Sequence, residues 1–157
     1  MEKTVQKALG AVLGALGLTM MMASQSASAL EPGQTATPEQ LARWGELPGY
    51  DIGSTRFGVL PERPADGQGT LLLNAQGMVG ISYNEITVAN AQEDQVRAAA
   101  SRAAHAPLTV RHYTPTGITV LRYAEFGQAV EGLNVLKAGL PEATVRLPVQ
   151  FGKPRPF

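Results

Sequence analysis

The order of hydrophobic patterns between residues 85 and 151 constrains the fold more than any other feature of this chain. Apolar and polar residues alternate in some stretches, which predicts strands, and recur three or four apart in two others, which predicts helices. In chain order the patterns predict a strand over 85–89, a helix ended by Pro107, strands over 108–113 and 118–123, a helix over 126–138 and a strand over 143–151. We therefore predict a strand-helix-strand-strand-helix-strand unit.

Both predicted helices carry one apolar face. In the first, Asn90 is expected as the N-cap with Glu93 three residues later, a capping-box variant. Its apolar face is formed by Val96, Ala99, Ala100 and Ala103. The stripe of the second helix is formed by Phe126, Ala129, Val130, Leu133, Leu136 and Leu140. Gly127 and Gly132 lie inside this second helix, where each costs about 1 kcal/mol relative to Ala, so the helix is expected to be weak alone.

The last predicted strand has the cleanest alternation in the chain. Val145, Leu147 and Phe151 lie on one side of it, and Pro148 lies on the other. Because proline has no amide hydrogen, this strand is expected at a sheet edge. The whole unit is expected to fold as an α+β, ferredoxin-like βαββαβ sandwich, with both helices on one face of an antiparallel sheet.

The chain before this unit has weaker patterns. Thr37, Pro38 and Gln40 predict a short helix start, and Gly45 predicts its end. Glycine and proline are so frequent over residues 50–70 that irregular chain is expected there. Residues 70–83 predict a hairpin, and a slip in the alternation predicts a bulge or strand break near Asn84.

The first 29 residues have the features of a secretory signal. A basic start is followed by an uncharged apolar stretch and by small residues at a cleavage site, which places the expected cut between Ala29 and Leu30. The chain is thus divided into a signal peptide (1–29), an extension with a short helix (30–69), an α+β domain (70–151) and an extended tail (152–157). We expect the mature protein in the periplasm, or secreted with a partner, and not in the membrane.

Composition excludes several classes of function. The leader holds two of the 13 basic and one of the 13 acidic side chains, so the remainder has a net charge of −1. Such a balance gives no electrostatic field for nucleic acid or an anionic membrane surface. The chain has no cysteine, so its stability must come from packing or from a partner.

One face of the predicted sheet carries too many apolar residues for a purely solvated surface. Helices are expected on one face only, and alternation assigns residues of the second and third strands to the other. The residues assigned to this uncovered face as a partner surface are Arg111, Tyr113, Thr119, Leu121 and Tyr123. We expect them to contact another protein.

This order of elements, ending in an edge strand and an extended tail, resembles the propeptides of subtilisin-family serine proteases. Because the chain stops at Phe157 and no protease follows, it is more similar to the free-standing external chaperones encoded beside some secreted subtilisin-like or kexin-like proteases, notably the Aeromonas type. The resemblance covers residues 83–157, together with an N-terminal extension that such chaperones can carry.

The resemblance implies an intermolecular chaperone that forms a 1:1 complex with its protease. The sheet would act as a folding template, and the C-terminal peptide would lie in the active-site cleft as a product-like inhibitor. The residues of this chain that correspond to the cleft peptide are Phe151, Gly152, Lys153, Pro154, Arg155, Pro156 and Phe157. The two prolines hold it near an extended conformation, which lowers the entropy lost on binding. Two registers stay open: Lys153 and Arg155 address an acidic pocket, or Phe157 fills the first specificity subsite.

The sequence does not favour an enzyme. It has no cysteine nucleophile and no Gly-x-Ser-x-Gly motif, and only His105 and His112 could act as imidazole bases. Their spacing matches no compact metal motif. We therefore predict no catalytic residues, no metal and no cofactor. A second hypothesis is a periplasmic adaptor module that binds another protein or a small ligand on the uncovered sheet face.

Overall fold

The computed structural model describes residues 30–152. The predicted leader, including Ala29, and the tail residues 153–157 lie outside the described residues. The described chain forms three helices and eight strands. In chain order they are α1 (Pro38–Trp44), β1 (Gly49–Ile52), β2 (Thr55–Val59), β3 (Thr70–Asn74), β4 (Val79–Ser82), β5 (Glu85–Ala89), α2 (Glu93–Ala100), β6 (Thr109–Tyr113), β7 (Ile118–Arg122), α3 (Phe126–Gly139) and β8 (Thr144–Arg146).

The strands form two four-stranded sheets in which every neighbouring pair is antiparallel. The first sheet follows chain order, β1-β2-β3-β4, and the second has the order β6-β7-β5-β8. α2 connects β5 to β6, and α3 connects β7 to β8. α2 packs on α3, which in turn contacts β1, β5 and β8. The chain is therefore α+β, as predicted, but it contains two sheets where the sequence predicted one sheet and a hairpin.

Residues 49–59 form two strands where the sequence predicts irregular chain, so that expectation is wrong. β1 pairs with β2 through a turn at Gly53, whose φ is 61°. β2 then pairs with β3. The predicted boundary between the extension and the domain, at residues 69 and 70, therefore separates two strands of one sheet. Local composition missed β1 and β2 because they are short and rich in glycine and polar residues. The apolar strand β3 supplies the partner that makes them strands.

The predicted helix start and hairpin before the second sheet are confirmed. In α1 the Thr37 hydroxyl accepts from the Gln40 amide at 3.3 Å, and the Gln40 side chain accepts from the Thr37 amide at 2.8 Å. β3 and β4 form the hairpin. The predicted break is at Asn84, which has a φ of 58° and lies between β4 and β5. At this residue the chain passes from the first sheet to the second.

The first helix of the second sheet starts later and ends earlier than predicted. Asn90 is not its N-cap, because it has a φ of 61°, whereas the cap residue Gln92 is extended, with φ −73° and ψ 148°. The helix ends at Ala100, so Ala103 lies outside it. Val96, Ala99 and Ala100 are buried as predicted.

The two glycines of α3 allow tyrosine rings to lie against the helix. A Cβ on Gly127 would be 2.6 Å from the Tyr50 hydroxyl oxygen. A Cβ on Gly132 would overlap the hydroxyl of Tyr123, a residue that follows β7. The weakness that these glycines impose on the helix is therefore the cost of close packing against both sheets.

The last predicted strand is divided between the two sheets. β8 pairs with β5 over only three residues, and Gln150 then pairs with Ile81 of β4 in the first sheet. A single strand over 143–151 is therefore wrong in extent, since Pro148 has no amide hydrogen with which to extend the ladder. The predicted alternation is correct in burial for Val145 and Leu147, which are buried, but Phe151 is 38% exposed.

Two apolar clusters stabilise the fold. The larger lies among the helices and both sheets and includes Phe57 and Leu72 of the first sheet. The smaller lies on the opposite side of the first sheet and includes Leu30, Leu71 and Ile81. Leu30, the expected first residue of the mature chain, is only 8% exposed and thus belongs to the folded body.

Candidate partner-binding surfaces

The side of the second sheet that faces away from α2 and α3 is the first candidate surface. We call it the open face; it consists of Glu85, Thr87 and Ala89 of β5, Thr109, Arg111 and Tyr113 of β6, Ile118, Val120 and Arg122 of β7, and Thr144 and Arg146 of β8. All of these residues are half-buried or exposed. Tyr113 is 48% exposed, which leaves an aromatic side chain available at the edge of the sheet.

Three residues assigned to this face by the sequence lie on the other side, so their assignment is wrong. Thr119, Leu121 and Tyr123 are at most 1% exposed and face the helices. The pairing of Tyr113 with Ile118 sets the phase of β7, because directly paired residues lie on the same side of a sheet. The predicted four-residue turn over 114–117 already implied this pairing. Arg111 and Tyr113 do lie on the open face, and their role in binding stays a prediction.

Arginine gives the open face an unbalanced charge. Arg111, Arg122 and Arg146 lie on it together with one carboxylate, that of Glu85. The ion pairs within residues 30–152 are Arg43–Glu62, Arg56–Asp51, Arg97–Glu93 and His105–Glu131, none of which involves this face. The three guanidinium groups are therefore available to an outside partner.

The beginning of the predicted cleft peptide is part of the folded body. Phe151 stacks on Phe57 of the first sheet, with ring centroids 6.3 Å apart and an interplanar angle of 28°. A Cβ on Gly80 would lie 2.9 Å from the Phe151 ring, so only glycine leaves room for the stack. Gly152 is the last described residue, and Lys153, Pro154, Arg155, Pro156 and Phe157 lie outside the described residues.

The outer edge of β4 is occupied by segments from both ends of the described chain. Gly33 and Ala36 donate backbone hydrogen bonds to Val79 and Gly77 at 2.8 Å each. Further along the edge, Gln150 and Ile81 exchange two backbone hydrogen bonds of 2.9 Å. The segment that leads into residues 153–157 is therefore fixed by backbone pairing as well as by the Phe151 ring.

Both histidines have side-chain partners. His105 Nδ1 lies 2.8 Å from Glu131 Oε2 of α3, and the Ala104 amide donates to Glu131 Oε1 at 2.7 Å. These contacts, the histidine first, hold the pKa of the Glu131 carboxyl below its ordinary value of 4.5. His112 Nδ1 lies 2.9 Å from the Thr119 hydroxyl. Among residues 30–152, no group of three or more His, Cys, Asp or Glu side chains could hold a metal ion.

Tyr123 has a buried hydroxyl without a hydrogen-bond partner in the described part of the chain. Burial, and next the negative charge of Glu131, raises the pKa of this phenol above its ordinary value of 10.0. The ring therefore remains neutral and acts in packing against α3.

A groove of about 650 Å³ lies between residues 60–70 and the ends of β6 and β7. Its lining includes Leu60, Arg63, Tyr83 and Leu108. Leu108 is 64% exposed, more than the exposed Leu41, Tyr113 and Phe151. The sequence did not predict this groove, because its walls come from segments that are distant in the chain and belong to different sheets.

Comparisons with protein-family models, curated proteins and solved structures find no match to this chain. Within residues 30–152, no helix is long and apolar enough to cross a membrane.

Proposed function

We propose that this protein assists the folding of a secreted subtilisin-like serine protease and then inhibits it. In this proposal the open face is the folding template, and residues 153–157, held to the body through Phe151, form the segment that enters the active-site cleft. The observation that carries the proposal is the combination of a bare sheet face with a segment, described as far as Gly152, that is firmly attached to the body. A partner would meet a broad surface and a peptide on one rigid support.

The topology of the second sheet supports the proposed resemblance to subtilisin propeptides. Its order, β6-β7-β5-β8, with helices after the first and third strands, supports the proposed ferredoxin-like sandwich. The two helices lie on one side, so the other side is free for a partner. The first sheet has no counterpart in the predicted βαββαβ unit, and its contacts with Phe151 suit it to supporting the peptide.

The composition of the open face also supports a protein partner. Arginine and tyrosine, such as Arg111 and Tyr113, are enriched among the residues that dominate protein interfaces. Val120 and Ile118 lie directly opposite them on the neighbouring strand β7 and are half-buried. A patch that combines such anchors with an apolar centre can exclude water when it is covered.

The proposed site of action is outside the cytoplasm. Residues 1–29 have the charge, apolar stretch and cleavage site of a secretory signal. A secreted protease would meet the protein in the periplasm, or outside the cell, in a 1:1 complex. No catalytic residue, metal or cofactor is needed for this role, because a template and a product-like peptide act by binding alone.

The test uses the full mature chain and a secreted subtilisin-like protease domain that is produced without its own propeptide. We expect the chain to increase the protease activity recovered on dilution from denaturant, and to inhibit the native protease. Deletion of residues 153–157 should weaken inhibition by roughly 100-fold or more, since it removes the segment proposed to fill the cleft. Circular dichroism and the unfolding midpoint should be unchanged, because the described body is retained.

In a matched variant, residues 153–157 are replaced by a Gly-Ser segment of equal length. It tests whether inhibition depends on the sequence of the tail or only on its length. It should behave like the deletion. Full inhibition by either variant would rule out the cleft role. A wild-type chain that neither assists folding nor inhibits the protease would rule out the whole proposal.

The groove beside Leu108 supports a second candidate, an adaptor module that binds a small ligand or peptide. Its volume of about 650 Å³ lies in the range of ligand sites. In that case Leu108→Ala should abolish binding of the adaptor's ligand and leave protease inhibition unchanged.

A further inference from the structure

The three arginines of the open face have fixed positions relative to one another in the sheet. Arg111 on β6 and Arg146 on β8 lie in one row across the sheet, with Val120 and Thr87 between them. Three strand spacings of about 4.8 Å separate the two arginines, so their Cα atoms are about 14 Å apart. Arg122 lies two residues along β7 from this row.

The middle of the same face is apolar at one end. Val120 and Ile118 of β7 and Ala89 of β5 form an apolar strip there, and Glu85, Thr87 and Arg122 complete the two central strands. The strip is half-buried, whereas Arg111 and Arg146 are exposed on the outer strands. The open face thus has an apolar strip over part of its middle and a cation on each outer strand.

The cations are not neutralised within the described residues. Glu85 is the single acid of the open face, and no ion pair within 30–152 reaches Arg111, Arg122 or Arg146. The concentration of positive charge on this face contrasts with the net charge of −1 expected for the mature chain. Positive charge gathered on one side of a near-neutral protein orients an approaching anionic partner.

Nucleic acid is a poorer match to this face than an acidic protein surface. Four-stranded sheets that read single-stranded RNA present aromatic rings, on which bases stack. The two central strands, β5 and β7, present Glu85, Thr87, Ala89, Ile118, Val120 and Arg122, none of which is aromatic. The aliphatic strip can instead pack against aliphatic or aromatic side chains of a protein.

We propose that the open face selects a protein surface on which carboxylates flank an apolar ridge, so that Arg111 and Arg146 each meet an acidic side chain. This inference rests on the proposed function, since it describes the chemistry of the partner that the same face would meet. Such matching raises the association rate and disfavours partners with a basic surface, because like charges held together in an interface are costly. The arginines therefore act in specificity, and the apolar strip supplies contact area.

The test uses two synthetic amphipathic helical peptides as probes, each with a leucine stripe, flanked by Glu in one and by Lys in the other. Binding to the full mature chain is measured by fluorescence anisotropy at low salt. The Glu-flanked peptide should bind at least about tenfold more tightly than the Lys-flanked one. The double variant Arg111→Gln/Arg146→Gln should weaken Glu-peptide binding roughly five- to thirtyfold, and added salt should reduce the wild-type affinity.

A matched control removes the same charge from the other side of the molecule. Arg97→Gln/Arg102→Gln changes two exposed cations in and just after α2, on the helix side, and breaks one exposed ion pair, Arg97–Glu93. It should leave the affinity within about twofold of wild type. Equal effects of the two double variants would overturn the inference, as would equal binding of the two peptides or tighter binding of a short single-stranded RNA.

Failure of the proposed function gives a different result. If the proposed function is wrong and this inference is right, the wild-type chain will neither assist refolding of the protease nor inhibit it. It will still bind the Glu-flanked peptide more tightly than the Lys-flanked one.

Discussion

The two sheets of this protein differ in how many of their faces are covered. In the first sheet, neighbouring residues of β3, Leu71 and Leu72, are both fully buried although they point in opposite directions. In the second sheet, Leu121 is fully buried but its neighbour Val120 is only half-buried. Strands β3 and β4 of the first sheet are therefore covered on both sides, whereas the second sheet has one uncovered side.

One outer edge of the first sheet is also covered by other segments of the chain. Both end segments of the described chain pair with the outer edge of β4, whereas the outer strand β6 pairs only with β7. Bare edges and faces expose a protein to association with other chains. The division is in line with our proposal that the first sheet provides support and that the second provides the surface for a partner.

Paired alanine substitutions test this difference most strongly. Leu71→Ala and Leu72→Ala should each lower the free energy of unfolding by about 2–5 kcal/mol, because each leaves a cavity in a different apolar cluster. In the second sheet Leu121→Ala should cost a similar amount, but Val120→Ala should cost about 1 kcal/mol or less. Urea unfolding of the mature chain measures all four values. A loss for Val120→Ala as large as that for Leu121→Ala would show that the open face is covered.

A double-mutant cycle on Phe57 and Phe151 tests whether the first sheet holds residues 144–151, which we call the closing segment. The stacked rings should be coupled by about 0.5–1.5 kcal/mol, because aromatic pairs contribute beyond their buried area. Urea unfolding of Phe57→Leu, of Phe151→Leu and of the double variant gives this coupling energy. A control cycle that pairs Phe151 with the exposed Leu108 should be additive within about 0.5 kcal/mol. Additivity in both cycles would mean that the stack does not hold the segment.

The smallest expected effect is a pH dependence on the helix side of the second sheet. The lowered pKa of Glu131 means that its contribution to stability is fully present above the ordinary value of 4.5, and is lost as the pH falls through the lowered folded-state pKa. Unfolding midpoints measured across this acidic range should fall less steeply for Glu131→Gln than for wild type. His105→Ala should flatten the curve in the same way, since His105 is the main cause of the shift. Parallel curves for wild type and both variants would contradict this assignment.

The sequence predicted the elements that local periodicity specifies. The strands and helices from β5 to α3 were found because each has alternating or helical spacing over several residues. β1 and β2 were missed because their strand character depends on pairing with β3, which composition alone does not reveal. The split of the last strand was missed for a related reason, since Gln150 pairs with a sheet that the sequence did not predict.

The candidate surface was only partly predictable. Arg111 and Tyr113 were placed correctly from alternation on one strand, but Thr119 and Leu121 were assigned without using the turn that joins the two strands. Pairing the two strands outward from this turn would have assigned Ile118, Val120 and Arg122 to the open face instead. Arg146 alternates with Val145 and Leu147 along its strand, but its place in one row with Arg111 depends on the strand order.

The closing segment also has a consequence for the time at which the protein can fold. Residues 144–151 join β5 through Val145 and β4 through Gln150, and they come after every other strand in the chain. A chain that passes through a membrane channel from its N-terminus delivers these residues last. Neither sheet can then complete its pairing before nearly the whole chain has crossed. If the protein is exported as we propose, such a late closing step keeps the chain in a form that the channel can still transport.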